Sequence, residues 1–394
     1  MNPFSYEKAV KELRKHRRAC CGLLLARLRC ADFHSITKES TMRASLSLIA
    51  VATLALTSCG DGQTASQLQE GWDRPNAPAQ LTRTYVARLG DLPFAGRAGV
   101  TPWADTYWPN SRRGLAWRWQ AGQSVATMPS RDQLARMSSG ELNALSPAEK
   151  YDILAGNYGY TLTRGELGRT NPSQAAWWGL CHGWAQASYL FREPRSVVAT
   201  SADGIQIPFA SSDIKALLTY FQQYRRPKSS INFLGLRCNS GQPGVSRECR
   251  DVNAGSFHII LANLIGRNRQ VVVGDLFNGD QVWNYPIFEY QSRVTSENTP
   301  RYPSAAPGTV QIKTIVTQIR HASLVRPDSR PHGMNANVTA TKTFSYTVEL
   351  NAAGHIIGGE WVSAERPDFL WRQTAPTFNG YFTHLGRLYS AAAR

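Results

Sequence analysis

The run of apolar and polar positions divides the chain into a helical first part and a strand-rich second part. In SSGELNALSPAEKYDILAG, residues 138–156, Ser146-Pro147 with Glu149 behind predicts a helix start: a cap, a proline in the first turn and an acidic first turn. FASSDIKALLTYFQQYRR, 209–226, repeats the pattern of cap followed by helix. Four β-rich runs follow: FHIILANLIG at 257–266, QVVVGDLF at 270–277, TVQIKTIVTQI at 309–319 and FSYTVELNAAGHIIGGEW at 344–361, the last with a hairpin turn expected at Asn351 to Gly354. Helices first and an antiparallel sheet afterwards predict an α+β fold. No GxGxxG follows a strand, and no P-loop, HExxH or internal repeat is present.

The N-terminal region has a different character. From Met42 the chain reads MRASLSLIAVATLALTSCGDG: one arginine, an apolar run, then small residues before Cys59. This is the layout of a secretory signal peptide. Leu56-Thr57-Ser58-Cys59 is similar to the lipobox of bacterial lipoproteins, whose cysteine is acylated and becomes the first residue. The expectation is a lipoprotein signal over 42–58 and a membrane anchor at Cys59, placing the protein on the bacterial cell envelope, facing the periplasm or cell surface. Signal peptides sit at the start of a nascent chain, so residues 1–41 read as an over-extended start or a disordered tail. Residues 59–95 read as a polar linker and 96–394 as the catalytic domain.

Charge then gains a context. The chain has 44 basic and 28 acidic residues, a net +16; beyond residue 58 the count is 34 against 24, or +10. A basic exported protein suits an anionic envelope or acidic substrates. No zinc knuckle, RNP-like stretch or basic helix points to nucleic acid. Of seven cysteines, Cys20, Cys21 and Cys30 precede Met42, and Cys59 is the anchor. Cys238 and Cys249 flank a turn-rich loop in an oxidising compartment and are expected to form a disulfide. Cys181 is left over.

An unpaired periplasmic thiol is either buried and inert or used. Cys181 lies between Gly179 and Gly183 at the head of HGWAQASYLF, a helix with Ala185, Ala187 and Ser188 to permit close packing. A helix N-terminus lowers a thiol pKa, and its free N–H groups can bind an oxyanion. His258 heads the apolar run 257–266, and Asp275 ends the next one. On adjacent antiparallel strands the two would sit side by side, letting an Asp-oriented imidazole take the Cys181 proton. His182 is the poorer base, since the next helical position faces away. Asn278 is the alternative third member, and Asp280 lies further into the turn. Gln174, Trp177 and Trp178 are candidates for a substrate channel or oxyanion support, with aromatic core packing the other reading of the tryptophans.

Gly179-Leu180-Cys181-His182-Gly183-Trp184-Ala185 resembles the nucleophile motif of transglutaminase-like cysteine enzymes, whose Cys, His and Asp occur in this chain order. TPWADTYWP, LSPAEKYDIL, WWGLCHGWA, SSDIKALLTY, CRDVNAGSFHIILANLIG, VWNYPIFEY and GGEWVSAERPDFLW together resemble the transglutaminase elicitor family over about residues 100 to 371. The resemblance implies a papain-like, transglutaminase-like core, with the nucleophile-bearing helix packed on an antiparallel sheet. It implies Cys181 as nucleophile, His258 as base, and Asp275 or Asn278 as third member. The implied activity is that of a protein-glutamine gamma-glutamyltransferase, which transfers an acyl group from a glutamine donor to a lysine or other amine acceptor. No cofactor or metal is expected, as no DxDxDG loop occurs. A cysteine peptidase, amidase or deamidase with the same triad, or a non-catalytic envelope lipoprotein of this fold, are the alternatives.

Overall fold

Serines begin the first helices. The computed structural model describes residues 73–118, 127–224, 231–237, 251–325 and 338–394. Ser130, Ser138 and Ser146 cap α1 (Arg131–Leu134), α2 (Ser139–Ala144) and α3 (Pro147–Leu154). Each serine accepts from the backbone N–H of Gln133, Glu141 or Glu149, whose side chain reaches back to the serine N–H. Such caps contribute about 1 kcal/mol each. The α3 start is the one expected from Ser146, Pro147 and Glu149. After α4 (Thr161–Arg169) come α5 (Cys181–Leu190) and α6 (Ser211–Tyr224). A Cβ on Gly183 would come within 2.2 Å of the Thr219 carbonyl oxygen, so glycine lets α5 approach α6 closely.

Two strands, β2 (Val197–Thr200) and β3 (Gln206–Phe209), pair between α5 and α6. The main sheet runs β4 (Ile231–Gly235), β10 (Phe369–Gln373), β5 (Val272–Asp275), β6 (Asn284–Ser296), β7 (Gln311–Ala322), β8 (Thr339–Leu350) and β9 (Ile356–Gly358). The short β1 (Ala95–Arg97) joins it along β6. All its pairings are antiparallel. The expected turn closes β8 onto β9: Gly354 donates to the Asn351 carbonyl at 2.9 Å and holds φ +75°, where glycine carries no steric penalty.

Side-chain alternation gives the sheet two buried faces. One carries Val273, Phe369 and Trp371 and packs with Trp184, Leu217 and Phe221 of α5 and α6. The other carries Val272, Ile287, Ile319, Tyr346 and Leu370 and packs with Phe257, Ile259 and Ile260. Those last residues belong to α7 (Ala254–Ile260), which continues as a π-helix over Leu261–Arg267. The strand expected over 257–266 is therefore corrected to a helix. Asn253 caps it, its side-chain oxygen accepting from Gly255 at 2.9 Å and Ser256 at 3.3 Å. Residues 254–265 are buried all round, and an apolar run buried on every side has no period to separate helix from strand. The C-terminal helix α8 (Thr383–Ala392) covers the first core with Leu385 and Leu388.

The linker expected over 59–95 is also corrected from residue 73 onward. Leu81, Leu89 and Leu92 are buried in the second core, and β1 begins at Ala95. The expected signal segment, the Cys59 anchor and the Cys238–Cys249 pair lie outside the described residues. Among the described residues no helix is long and apolar enough to cross a membrane.

Candidate active site around Cys181

Cys181 opens α5 as a buried free thiol. No side chain caps this helix, so its first N–H groups stay directed at the sulfur's surroundings. The turn before it is held tightly. Leu180 donates its N–H to the Tyr107 carbonyl at 2.6 Å, and a Cβ on Gly179 would come within 2.4 Å of the same oxygen. Glycine at 179 is needed for this close approach.

The sheet supplies the thiol's polar neighbours. The S–H donates to the Val282 carbonyl at 3.6 Å, and the Asn284 side-chain N–H donates to the sulfur at 3.7 Å. The Asn284 amide is oriented by its other end, whose oxygen accepts from the Trp371 indole N–H at 2.7 Å. That bond aims the amide nitrogen at the sulfur, where it favours the thiolate. Asn284 pairs directly with Asp275 across β5 and β6. Directly opposed residues share a face with Cβ atoms about 5 Å apart, so both side chains lie on the α5 side.

Asp275 is buried with half of its carboxylate satisfied. Oδ1 accepts from Trp283 at 3.2 Å and Phe277 at 3.4 Å; Oδ2 has no partner. Burial raises its pKa well above the usual carboxylate range, and the charge of Asp368 adds to this. Burial also raises the Cys181 thiol; Asn284 and the His182 N–H oppose that rise, and the Asp275 charge adds to it. Thiol and carboxyl thus each titrate above their ordinary values and feel one another.

His258 does not join this cluster. It sits in α7 on the other face of the sheet, where its Nδ1 is 2.8 Å from the Tyr346 hydroxyl and its ring lies against Phe94. Tyr346 is bonded in turn to Thr317 at 2.6 Å, and Thr317 to Ser292 at 2.7 Å. Burial lowers the imidazole to about 4. The expected hydrogen bond from Cys181 to His258, with Asp275 on the second ring nitrogen, is corrected: helix α7 carries the histidine behind the sheet, and the strands flanking β5 are β6 and β10. The expected alternative at Asn278 is corrected too, since its amide donates to the Ala364 carbonyl at 3.2 Å. Asp280 is exposed in the turn.

His182 stacks on Trp371, ring centres 4.0 Å apart. Trp177 and Trp178 meet edge to face at 5.9 Å, and Trp178 is 43% exposed, more so than core packing would leave it. Gln174 is used locally, accepting from the Asn171 N–H at 3.3 Å. Tyr107 and Trp283 form a second edge-to-face pair at 5.2 Å beside the Val282 carbonyl. Asn284 and Trp371 are the residues that sequence reasoning missed. The available signal was register: strands joined after Asp275 bring a polar residue of VWNYP opposite it. Among the described residues no cluster of His, Cys, Asp and Glu could hold a metal ion.

Two comparisons bear on this arrangement. Over 82% of this chain and 99% of the other, the fold matches the crystal structure of the GP42 transglutaminase from Phytophthora sojae, with a TM-score of 0.63 and 20% identity. No curated protein matches the sequence. The family model for transglutaminase elicitors matches residues 168–393, from the end of α4 through the helix of Cys181 and strands β2 to β10 to the end of α8, and the chain belongs to the transglutaminase elicitor family.

Proposed function

We propose that this protein is a protein-glutamine gamma-glutamyltransferase acting through Cys181. The observation that carries the reading is the buried thiol at an uncapped helix start, facing an oriented Asn284 amide and a carboxyl with a partnerless oxygen. Asp275 takes the thiol proton. The thiolate attacks the glutamine carboxamide carbon, and the oxyanion forms near the first N–H groups of α5. Collapse breaks the C–N bond; ammonia leaves with the proton held by Asp275, and a thioester remains. An amine then attacks the thioester carbonyl, gives its proton to Asp275, and expels the Cys181 thiolate as the new amide forms. Water in place of the amine gives deamidation. The exposed Trp178 and the Tyr107–Trp283 pair would flank an approaching side chain.

The experiment is mass spectrometry of the protein with a glutamine peptide and a primary-amine probe. The amine adduct is expected with the native chain and absent with Cys181→Ala. An equal signal from both would refute the assignment. One observation favours a second reading, a non-catalytic envelope protein of this fold: the sulfur's hydrogen-bond partners are the Val282 carbonyl and the Asn284 amide, and His258 lies behind the sheet. On that reading neither transfer nor hydrolysis would be detected. We also propose a lipid anchor at Cys59, to be tested by fatty-acid labelling of the native chain and of Cys59→Ser.

A further inference from the structure

Residues 103–110 cross α5 from end to end. At the C-terminal end the Trp103 N–H donates to the Ser188 carbonyl at 3.1 Å, and its indole N–H to the Phe191 carbonyl at 2.9 Å. At the other end the Tyr107 carbonyl receives the Leu180 N–H, the Tyr107 hydroxyl donates to the Ala176 carbonyl at 2.8 Å, and Asn110 donates to the Trp178 carbonyl at 2.8 Å. The segment is thus a strap over the helix that carries Cys181. It bends at Trp108, a fully buried residue held at φ +49°. A bulky side chain in the left-handed region costs about 1–2 kcal/mol and persists only where its surroundings impose it.

Asp105 is one of those surroundings. It is wholly buried; Oδ2 accepts the Trp108 indole N–H at 3.2 Å, and Oδ1 has no partner. Around it lie the charged groups of three elements. Lys215 of α6 donates to the Ala104 carbonyl at 3.1 Å and to Glu193, beyond α5, at 2.6 Å. Lys150 of α3 donates to Asp213 of α6 at 2.7 Å. The two ammoniums are matched by Glu193 and Asp213, so Asp105 is the fifth and unmatched group. Burial accordingly raises it to about 7, against the attraction of Lys215.

We infer that Asp105 is a positioning residue for Cys181, holding the bent strap that sets the start of the nucleophile's helix. In its neutral form the cluster is balanced and the strap is held. Once ionised, it leaves an unmatched buried charge at the bend, and the start of α5 loosens around the sulfur. The inference rests on Cys181 being the reactive group, but its test does not require acyl transfer.

The test is the rate of Cys181 alkylation by iodoacetamide from about pH 5.5 to 8.5, followed on the Cys181 peptide by mass spectrometry. The thiol itself titrates above its ordinary value of 9.0, so its own titration leaves this range straight. The native chain is expected to follow a tenfold rise per pH step below about 7, to fall roughly two- to fivefold under that line as Asp105 ionises and the loosened helix start holds the thiolate less well, and then to resume the slope. Asp105→Asn, which keeps the shape and stays neutral, is expected to continue straight and to react roughly two- to fivefold faster at about pH 8.5. Superimposed or parallel profiles would overturn the inference. If Asp105→Asn fails to fold, Asp105→Ser takes its place, because Asp275 also acts on the thiol and only the difference between native and variant profiles belongs to Asp105; identical profiles overturn the inference. Profiles that differ while neither protein transfers an amine would leave Asp105 in its role and remove the acyltransferase reading.

Discussion

His258 provides a decisive perturbation, because the two placements of this residue predict opposite results. Behind the sheet it is a buried neutral imidazole with one hydrogen bond, to Tyr346, and a pKa near 4 against an ordinary 6.5. The unfolded chain binds a proton below about pH 6.5, and the native chain does not until about pH 4. Stability is therefore constant above that window and falls as pH drops through it, by about 1.4 kcal/mol per pH step and about 3 kcal/mol in all. His258→Leu removes this dependence. At pH about 7.5 the variant loses the hydrogen bond and some packing, roughly 1–2 kcal/mol. At pH about 4.5 the native chain carries a penalty of about 2–3 kcal/mol, so the variant should be the more stable by about 1 kcal/mol, with the curves crossing near pH 5.5. Urea unfolding at several pH values measures this. A difference between the two proteins that does not change with pH would refute the reasoning. The same variant should keep amine incorporation at pH about 7.5, within a factor of about three. Loss of that activity in a folded protein would return the histidine to the catalytic group.

Three other outcomes follow from the geometry. Asn284→Leu removes the donor on the sulfur and strands the Trp371 indole N–H; it should cost about 1–3 kcal/mol in urea unfolding and lower amine incorporation by about tenfold or more. Asp275→Asn replaces a buried carboxyl whose pKa burial raises, so stability that the native chain loses as pH rises above the ordinary carboxylate range should be regained. At pH about 7.5 the variant should melt higher and yet transfer no amine, a pairing that marks a functional strain. Lys150→Met breaks the buried pair with Asp213 and should cost about 3–5 kcal/mol; adding Asp213→Leu should recover part of the loss in the same unfolding assay.

Local chemistry was legible where one residue type admits one explanation. Ser146, Pro147 and Glu149 mark a helix start because few other sites use that trio, and the structure forms the helix there. The turn at Asn351–Gly354 was equally readable, since Asn351 bonds the turn through its own side chain, to Ala353 and His355 at 3.0 Å each. Cys181 at a glycine-flanked helix start could be read for the same reason. The residues 257–266 could not. Their order of apolar side chains fits a strand or a helix equally well, and the deciding group, the Asn253 cap, lies just outside the run.

The consequence for the site is larger than one element's class. A histidine on a strand beside β5 would have faced Cys181; on α7 it faces Tyr346 with the sheet between. Asp275 survives the change because its place depends on β5, which formed as expected, and on its register with Asn284. Register follows from the hairpin and from which face each core demands: Val273 and Trp371 must point toward α5, and Asp275, two residues on from Val273, must follow them. The carboxyl is therefore carried into the first core by the apolar residues around it. There it has two backbone donors for four lone-pair sites, and its second oxygen is left without a hydrogen-bond partner.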